Sequence, residues 1–192
     1  AFEREQRSTA RVLERDDTPR PLGQAPWSAK GRWLSIDGVV LEANTGAVKI
    51  DGAEDVAFSP DERLAAFDEG NGFTVREIAS GRDVHAFAAH PSSAKFDPSS
   101  KRLLWIADEQ TTHLVDLETK PDVVLGDDID DPRFRDDGRW VAWRAHGKLA
   151  WRDIVTGTSM ERDVGADTAG DLAFANDRLV AGTPSKALGW AD

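Results

Sequence analysis

The segment Ala57-Phe58-Ser59-Pro60-Asp61-Glu62-Arg63-Leu64 decides the fold, because similar segments return along the chain. Each copy has an aromatic residue at the end of a predicted strand, a polar turn, a basic residue and an apolar stretch that predicts the next strand. The copies begin at the aromatic residues Trp27, Phe58, Phe96, Phe134 and Phe174, and the four phenylalanines are spaced by 38, 38 and 40 residues. The chain is therefore built from an internal repeat.

A second set of positions fixes the register of this repeat. An acidic residue ends or follows an apolar predicted strand in every copy, and turn residues come next in most copies. These repeat acids are Glu14, Glu42, Glu77, Asp116, Asp153 and Asp192. Short strands separated by Gly, Pro, Asp and Asn predict an all-β chain, and a four-stranded unit of roughly 40 residues has the length of a propeller blade.

These residues resemble the WD-repeat β-propellers along nearly the whole chain. In that family the third strand of a blade ends in Trp-Asp, and here the repeat acids occupy the acidic position. Phe58-Ser59-Pro60-Asp61 matches the turn between the first two strands, whereas no copy has a Trp-Asp pair and only His90 lies near the expected Gly-His position. The resemblance implies an all-β propeller of four-stranded antiparallel blades, as part of a six- or seven-bladed ring.

The repeat register predicts one β-propeller region over 1–192. We expect a partial blade at 1–25, full blades at about 26–56, 57–93, 94–131 and 132–171, and a partial blade at 172–192. Both partial blades contain a predicted third strand, so they cannot merge into one blade. We therefore expect an excerpt of a larger propeller, completed by a second chain or segment, although 1–18 could instead form a charged amphipathic helix.

Composition excludes several classes of partner. The chain has 35 acidic and 24 basic residues and a net charge of −11, which argues against nucleic acid or an anionic membrane as partner. No apolar run reaches the roughly 18 residues that a membrane span needs. With no cysteine there is no disulfide or thiolate site. The first residue is Ala1, so a signal peptide could be missing; the compartment stays open, with the cytoplasm favoured.

The chain offers few candidates for catalysis. The four carboxylates of 127–131 could bind calcium, but they lack the spacing of an EF-hand loop, and a solvated loop between blades is the favoured interpretation. The four histidines are scattered, and no Gly-x-Ser-x-Gly or phosphate-binding glycine motif occurs. We predict no catalytic residue, metal or cofactor. The repeated arginines are expected to pair with nearby acids, and all seven tryptophans are expected in the core.

The candidate binding residues lie in two sets of loops, those between second and third strands and those between blades. In WD-repeat proteins these loops share one surface, which the resemblance makes the partner-binding face. The candidates are Glu69, Asn71, His90, Glu109, Asp127, Asp128, Asp130, Asp131 and His146. Because this face is acidic, we expect it to attract a basic protein or peptide.

Three classes of function follow from these observations. The favoured class is a non-catalytic protein-interaction scaffold or sensor module of a larger multidomain protein. The second is the substrate-gating propeller of an oligopeptidase-like hydrolase whose catalytic domain lies outside this chain. The third is a propeller that binds a ligand or calcium in an acidic channel.

Overall fold

A computed structural model describes most of the chain from residue 27 onward. The described residues are 27–70, 72–107, 111–119, 121–164, 172–175, 178–182 and 187–191. They contain strands and turns and no helix. Accordingly, within these ranges there is no helix with the length and apolarity needed to cross a membrane.

Within the described ranges, eighteen strands form five antiparallel sheets, in which each strand pairs with its neighbours in sequence. Sheet 1 contains β1 (Trp33–Ile36), β2 (Val39–Glu42) and β3 (Val48–Asp51). Sheet 2 contains β4 (Glu54–Phe58), β5 (Leu64–Asp68), β6 (Phe73–Glu77) and β7 (Arg82–Phe87). Sheet 3 contains β8 (Pro91–Phe96), β9 (Arg102–Ala107), β10 (Thr112–Asp116) and β11 (Asp122–Gly126).

The last two sheets follow the same plan. Sheet 4 contains β12 (Asp130–Phe134), β13 (Trp140–Ala145), β14 (Lys148–Asp153) and β15 (Ser159–Asp163). Sheet 5 contains β16 (Leu172–Ala175), β17 (Arg178–Gly182) and β18 (Ala187–Ala191). A single bridge joins Trp27 to Leu34 on β1, at the place where sheets 2 to 4 have their first strand. The predicted all-β chain of four-stranded antiparallel units is thus confirmed.

The repeated segments form the turns between first and second strands. In the turns that begin at Ser28, Ser59 and Asp97, one polar side chain accepts a hydrogen bond from the backbone N–H where the second strand begins. Ser28 Oγ accepts from Trp33 at 2.9 Å, Ser59 Oγ from Leu64 at 2.9 Å and Asp97 Oδ1 from Arg102 at 2.8 Å. Such local bonds favour a turn over a continued strand, which explains why these residue types recur there.

The chain divides into two compact units, Ala1–Ser93 and Ala94–Asp192. In the first unit sheets 1 and 2 pack face to face around a core that includes Trp33, Val40, Ala65 and Phe67. In the second unit sheet 4 has apolar residues on both faces, as expected for a sheet between two others. One face joins the cluster of Leu104 and Trp143, and the other joins the cluster of Leu149 and Leu179.

The expectation that every tryptophan lies in the core is wrong for Trp27. Its side chain is 46% exposed, whereas Trp33, Trp105 and Trp143 are buried. Those three lie within paired strands, whereas in the described part of the chain Trp27 pairs with β1 through an isolated bridge. A residue in an isolated bridge has fewer cross-strand neighbours than a residue in a fully paired strand, so its ring is less covered.

Candidate functional site

The connections of each sheet fall at two opposite ends. In an antiparallel sheet whose strands follow in order, the loop between the second and third strands and the loop after the fourth strand lie at the same end. We call this the loop end. The turns between first and second strands and between third and fourth strands lie at the other end, the turn end.

The predicted binding residues lie at the loop end of their own sheets. Glu69 lies between β5 and β6, His90 precedes β8, and His146 lies between β13 and β14. The remaining described candidates are in or beside the connection from β11 to β12, namely Asp127, Asp128, Asp130 and Asp131. Asn71 and Glu109 lie outside the described residues. The candidates of each unit therefore share the end that sequence analysis assigned to them.

Two contacts join the loops at the loop end of sheet 2. His90 Nδ1 lies 2.8 Å from Asp68 Oδ2, linking the loop after β7 to the end of β5. Gly72, with φ of 152°, lies so close to β7 that a Cβ atom there would be 2.6 Å from the Phe87 carbonyl oxygen. Burial alone would raise the pKa of Asp68, but hydrogen bonds from His90 and the Gly70 N–H outweigh it and lower that pKa.

Glu69 is held by neighbouring side chains on β6. Its carboxylate accepts a 2.8 Å ion-paired hydrogen bond from Arg76 and a 3.2 Å bond from the Thr74 hydroxyl. The pKa of Arg76 is raised, first by its hydrogen bond to Asp83 and further by the charge of Glu69. Glu69 is therefore a partly neutralised and oriented acid.

Similar bonds order the loop ends of sheets 3 and 4. Thr111 Oγ1 donates to Asp127 Oδ1 at 2.9 Å, so the loop before β10 is tied to the loop after β11. Arg144 donates to Asp130 Oδ2 at 3.0 Å. Asp128 and His146 both have φ of 52°, the left-handed conformation that non-glycine residues adopt mainly in tight turns.

Acidic residues outnumber basic ones at the loop end of the first unit, where Arg76 on β6 pairs with Glu69. Its loops and the strand residues beside them carry six acids: Asp37, Asp51, Glu54, Asp55, Asp68 and Glu69. The same stretches contain no lysine or arginine. Sequence analysis missed Asp37, Asp51, Glu54 and Asp55, although their positions next to Gly38 and Gly52 between apolar strands were a usable signal.

The basic side chains of the first unit concentrate at the turn end, where they meet the repeat acids. Arg32 lies 3.7 Å from Glu42, and Arg63 lies 3.3 Å from Glu77. Each acid also accepts a bond from the following turn, Glu42 from Thr45 Oγ1 at 3.0 Å and Glu77 from Ser80 Oγ at 2.7 Å. Hydrogen bonds from Ser80 and Arg63 lower the pKa of Glu77.

The second unit repeats this arrangement with aspartates. Asp116 lies 3.7 Å from Arg102 and accepts the Thr119 N–H at 2.8 Å. Asp153 accepts from Arg139 at 2.7 Å and from the Val155 N–H at 2.9 Å. The bond from Arg139 lowers the pKa of Asp153.

In all four described copies the repeat acid thus joins the two turns at the turn end of its sheet. Glu14 and Asp192 lie outside the described residues. Through these contacts the repeat acids stabilise the turn end of each sheet. They therefore lie at the end opposite the candidate binding loops.

The acids do not assemble a recognisable cation site in the part of the chain that the structure describes. No group of three or more His, Cys, Asp or Glu side chains is placed there to hold a metal ion. Asp127 and Asp130 instead bond to Thr111 and Arg144.

Comparison with known proteins gives matches in structure only. No protein-family model matches the chain, and no curated protein matches it. The β-propeller domain of Cps50 (Swd1) from Myceliophteria thermophila is similar, with a TM-score of 0.57 and 17% identity over 88% of this chain and 64% of that one. A eukaryotic initiation factor gives a TM-score of 0.62 and 14% identity over 80% of this chain and 46% of that one.

A third similar structure is hydrazine synthase from Kuenenia stuttgartiensis. Its TM-score is 0.52, with 15% identity over 89% of this chain and 59% of that one. One of the three similar structures is thus named as an enzyme, so the shared fold does not decide whether this chain is catalytic.

These structural matches, together with the four-stranded sheets, define a β-propeller fold. The β-propeller fold that the repeats predict is thus confirmed. The chain spans 64% and 46% of the length of the first two structures that it resembles.

Proposed function

We propose that this chain is a non-catalytic protein-interaction module that binds a basic segment of a partner protein at the loop end of its first unit. The observation that carries the proposal is the separation of charge in that unit. Six acids occupy the loop end, where the loops themselves contain no lysine or arginine and Arg76 on β6 pairs with Glu69, while Arg32, Lys49, Arg63 and Arg82 contact acids at the turn end. The structural likeness to the Swd1 propeller domain supports a role in protein interaction.

The exposed acids have the properties of an electrostatic recognition surface. Asp37, Asp51, Glu54 and Asp55 are all solvent-exposed. Exposed charges of one sign raise the rate at which an oppositely charged protein associates, and they disfavour partners of like charge. A lysine- or arginine-rich segment is therefore the partner chemistry that this end fits.

The loop end of sheet 2 also offers an ordered backbone. The His90–Asp68 bond and the close approach of Gly72 to Phe87 hold the two loops together. A surface that is already ordered loses less conformational entropy when a partner binds. We include His90 and Glu69 in the proposed surface because they flank these contacts.

The larger assembly is a further part of the proposal. We propose that each of sheets 1 to 4 is one blade of the region 1–192, and that additional sequence or a second chain completes the ring. A module of this size within a larger protein fits a scaffold or sensor function. Native mass spectrometry beside the denatured mass would detect a second polypeptide held by this chain.

The binding proposal is tested with two charge-reversed variants. The probe is a fluorescein-labelled peptide of alternating lysine, arginine and glycine, measured by fluorescence anisotropy at several salt concentrations. Asp51→Lys combined with Glu54→Lys changes two exposed loop-end acids. The control, Glu118→Lys combined with Asp136→Lys, makes the same charge change at two exposed turn-end positions.

We expect the loop-end variant to bind the peptide about tenfold more weakly than the wild type, which corresponds to about 1.4 kcal/mol. The control variant should retain most of the affinity, and added salt should weaken wild-type binding. Equal losses in both variants would mean that net charge alone attracts the peptide, and the proposed surface would be wrong.

A further inference from the structure

The outer strand of sheet 4 differs from the outer strands of sheets 1 to 3. The pairings of β3, β7 and β11 with their neighbours contain register shifts, at Val40/Leu41, Val75/Arg76 and Thr112/His113. The pairing of β15 with β14 is regular along all five residues. Bulges are one way in which proteins protect an exposed sheet edge from pairing with another chain. β15 lacks this protection.

Two backbone hydrogen bonds at the ends of the β14–β15 ladder determine which groups of β15 face outward. The Val164 N–H donates to Gly147 O at 3.1 Å, and the Asp153 N–H donates to Thr158 O at 2.9 Å. Hydrogen-bonded and non-hydrogen-bonded pairs alternate in an antiparallel ladder. Met160 and Arg162 therefore direct their N–H and C=O groups toward β14, whereas Ser159 and Glu161 direct theirs away from it.

The side chains of β15 are exposed but held in place. All five are solvent-exposed. On one face of the sheet, Lys148 bonds to Glu161 Oε1 at 2.6 Å and Arg152 bonds to Ser159 Oγ at 2.9 Å. On the other face, Met160 is 40% exposed and pairs with half-buried Trp151. The edge thus combines outward backbone groups, a carboxylate and an apolar contact.

We propose that β15 binds an extended segment of a partner protein as an additional antiparallel strand of sheet 4. Such strand addition takes its affinity from backbone bonds and its specificity from alternate side chains. The segment that fits has a basic residue opposite Glu161, because Lys148 bonds to Oε1 of that carboxylate and not to Oε2. The next residue of the segment, opposite Met160, is apolar.

A second copy of β15 is a poor occupant of this edge. In the antiparallel pairing centred on Glu161, that carboxylate would face its own copy, and like charges directly opposite one another destabilise a sheet. The edge of β15 is a different surface from the loop end of the first unit, and strand addition there does not depend on the acids of that end.

The first test measures amide hydrogen exchange by NMR with a defined probe. The probe is the acetylated and amidated peptide Lys-Glu-Lys-Val-Thr, and the control peptide is N-methylated at its central lysine. In the free protein we expect slow exchange at Met160 and Arg162 and fast exchange at Ser159 and Glu161. The probe should slow exchange at Glu161 at least about tenfold, which is about 1.4 kcal/mol. No slowing, or equal slowing by the control peptide, would overturn the proposal.

The second test uses variants of β15 itself. Glu161→Pro removes an outward N–H while leaving the bonds to β14 possible, since proline is tolerated where an edge N–H faces solvent. It should abolish probe binding, while Asp51→Lys combined with Glu54→Lys should leave it unchanged. If Glu161→Pro does not fold, Glu161→Lys replaces it and should weaken binding at least tenfold. Wild-type binding by a folded variant would contradict strand addition at this edge.

Discussion

Glu62 shows how one buried carboxylate can connect two sheets. It is 6% exposed and accepts bonds from Ser28 Oγ and from the Lys30 N–H, both at 2.6 Å. Its backbone carbonyl accepts a 2.8 Å bond from Trp33 Nε1. Burial alone would raise the pKa of Glu62, but the hydrogen bonds outweigh it and lower that pKa. The ionised form is therefore part of the native contact between sheets 1 and 2.

Replacing the Glu62 carboxylate should lower the free energy of unfolding. Glu62→Gln removes the charge from a buried acceptor, and we expect a loss of about 1–3 kcal/mol in the free energy of unfolding. Urea denaturation, monitored by tryptophan fluorescence, measures this loss. Glu118→Gln is the matched control, because Glu118 is exposed and forms a surface ion pair with Lys101. Equal effects of the two substitutions would contradict the assigned contact.

Gly72 tests the close approach of two loops at the proposed binding end. In Gly72→Ala the new Cβ would meet the Phe87 carbonyl oxygen at 2.6 Å, and φ of 152° is unfavourable for alanine. Gly70→Ala is the control, because φ there is 78° and no atom lies within 4 Å of a Cβ. We expect Gly70→Ala to cost about 1–2 kcal/mol and Gly72→Ala to cost more. If thermal unfolding shows a smaller loss of stability for Gly72→Ala than for Gly70→Ala, the two loops are not in contact.

At the scale of the element, the repeated turn is the part of the fold that sequence analysis predicts best. Ser28, Ser59 and Asp97 accept hydrogen bonds from N–H groups that are close in sequence, so small polar residues recur at the equivalent position of these three copies. Contacts between turns of different sheets are not local, and the bond from Trp33 to Glu62 has no sequence signature. The expectation that Trp27 is buried is wrong for the same reason, because the burial of its ring depends on contacts that are not local in sequence.

The repeat itself supplies a conservative substitution for this turn. Asp97 is fully buried and accepts the N–H groups of Lys101 and Arg102, both at 2.8 Å. Asp97→Ala leaves both donors without their acceptor and should cost about 2–4 kcal/mol by urea denaturation. Asp97→Ser should recover part of that loss, because serine fills this position in the turns at Ser28 and Ser59. No recovery with serine would mean that the turns are not equivalent.

For the whole molecule, we expect low pH to decrease the free energy of unfolding. Native contacts lower the pKa of Glu62, Asp68, Glu77, Asp116, Asp137 and Asp153. A carboxyl with a lowered folded-state pKa contributes stability above its unfolded pKa of about 4, and this contribution is lost as the pH falls through the folded-state value. Urea midpoints should therefore change little between pH 7 and about 5 and fall below that. Rising stability on acidification would contradict these contacts.

The placement of the candidate site was predictable in part from the whole-chain pattern. Once the strands alternate in direction, Glu69, His90 and His146 must lie at the loop ends of their sheets. The pattern does not show which acids are neutralised, because the bond from Arg76 to Glu69 depends on side-chain geometry across two elements. The positions of Asp51 and Glu54 beside Gly52 place them in a turn, but the concentration of cations at the opposite end depends on the folded arrangement.

The central claim is that the loop end of the first unit binds a basic protein segment. The most direct measurement is hydrogen–deuterium exchange, read by mass spectrometry, with and without the lysine- and arginine-rich peptide. We predict slower exchange in the connections after β1, β3 and β7 and unchanged exchange in the turns at 43–47 and 78–81. Protection of those turns, with none at the loop end, would contradict the claim.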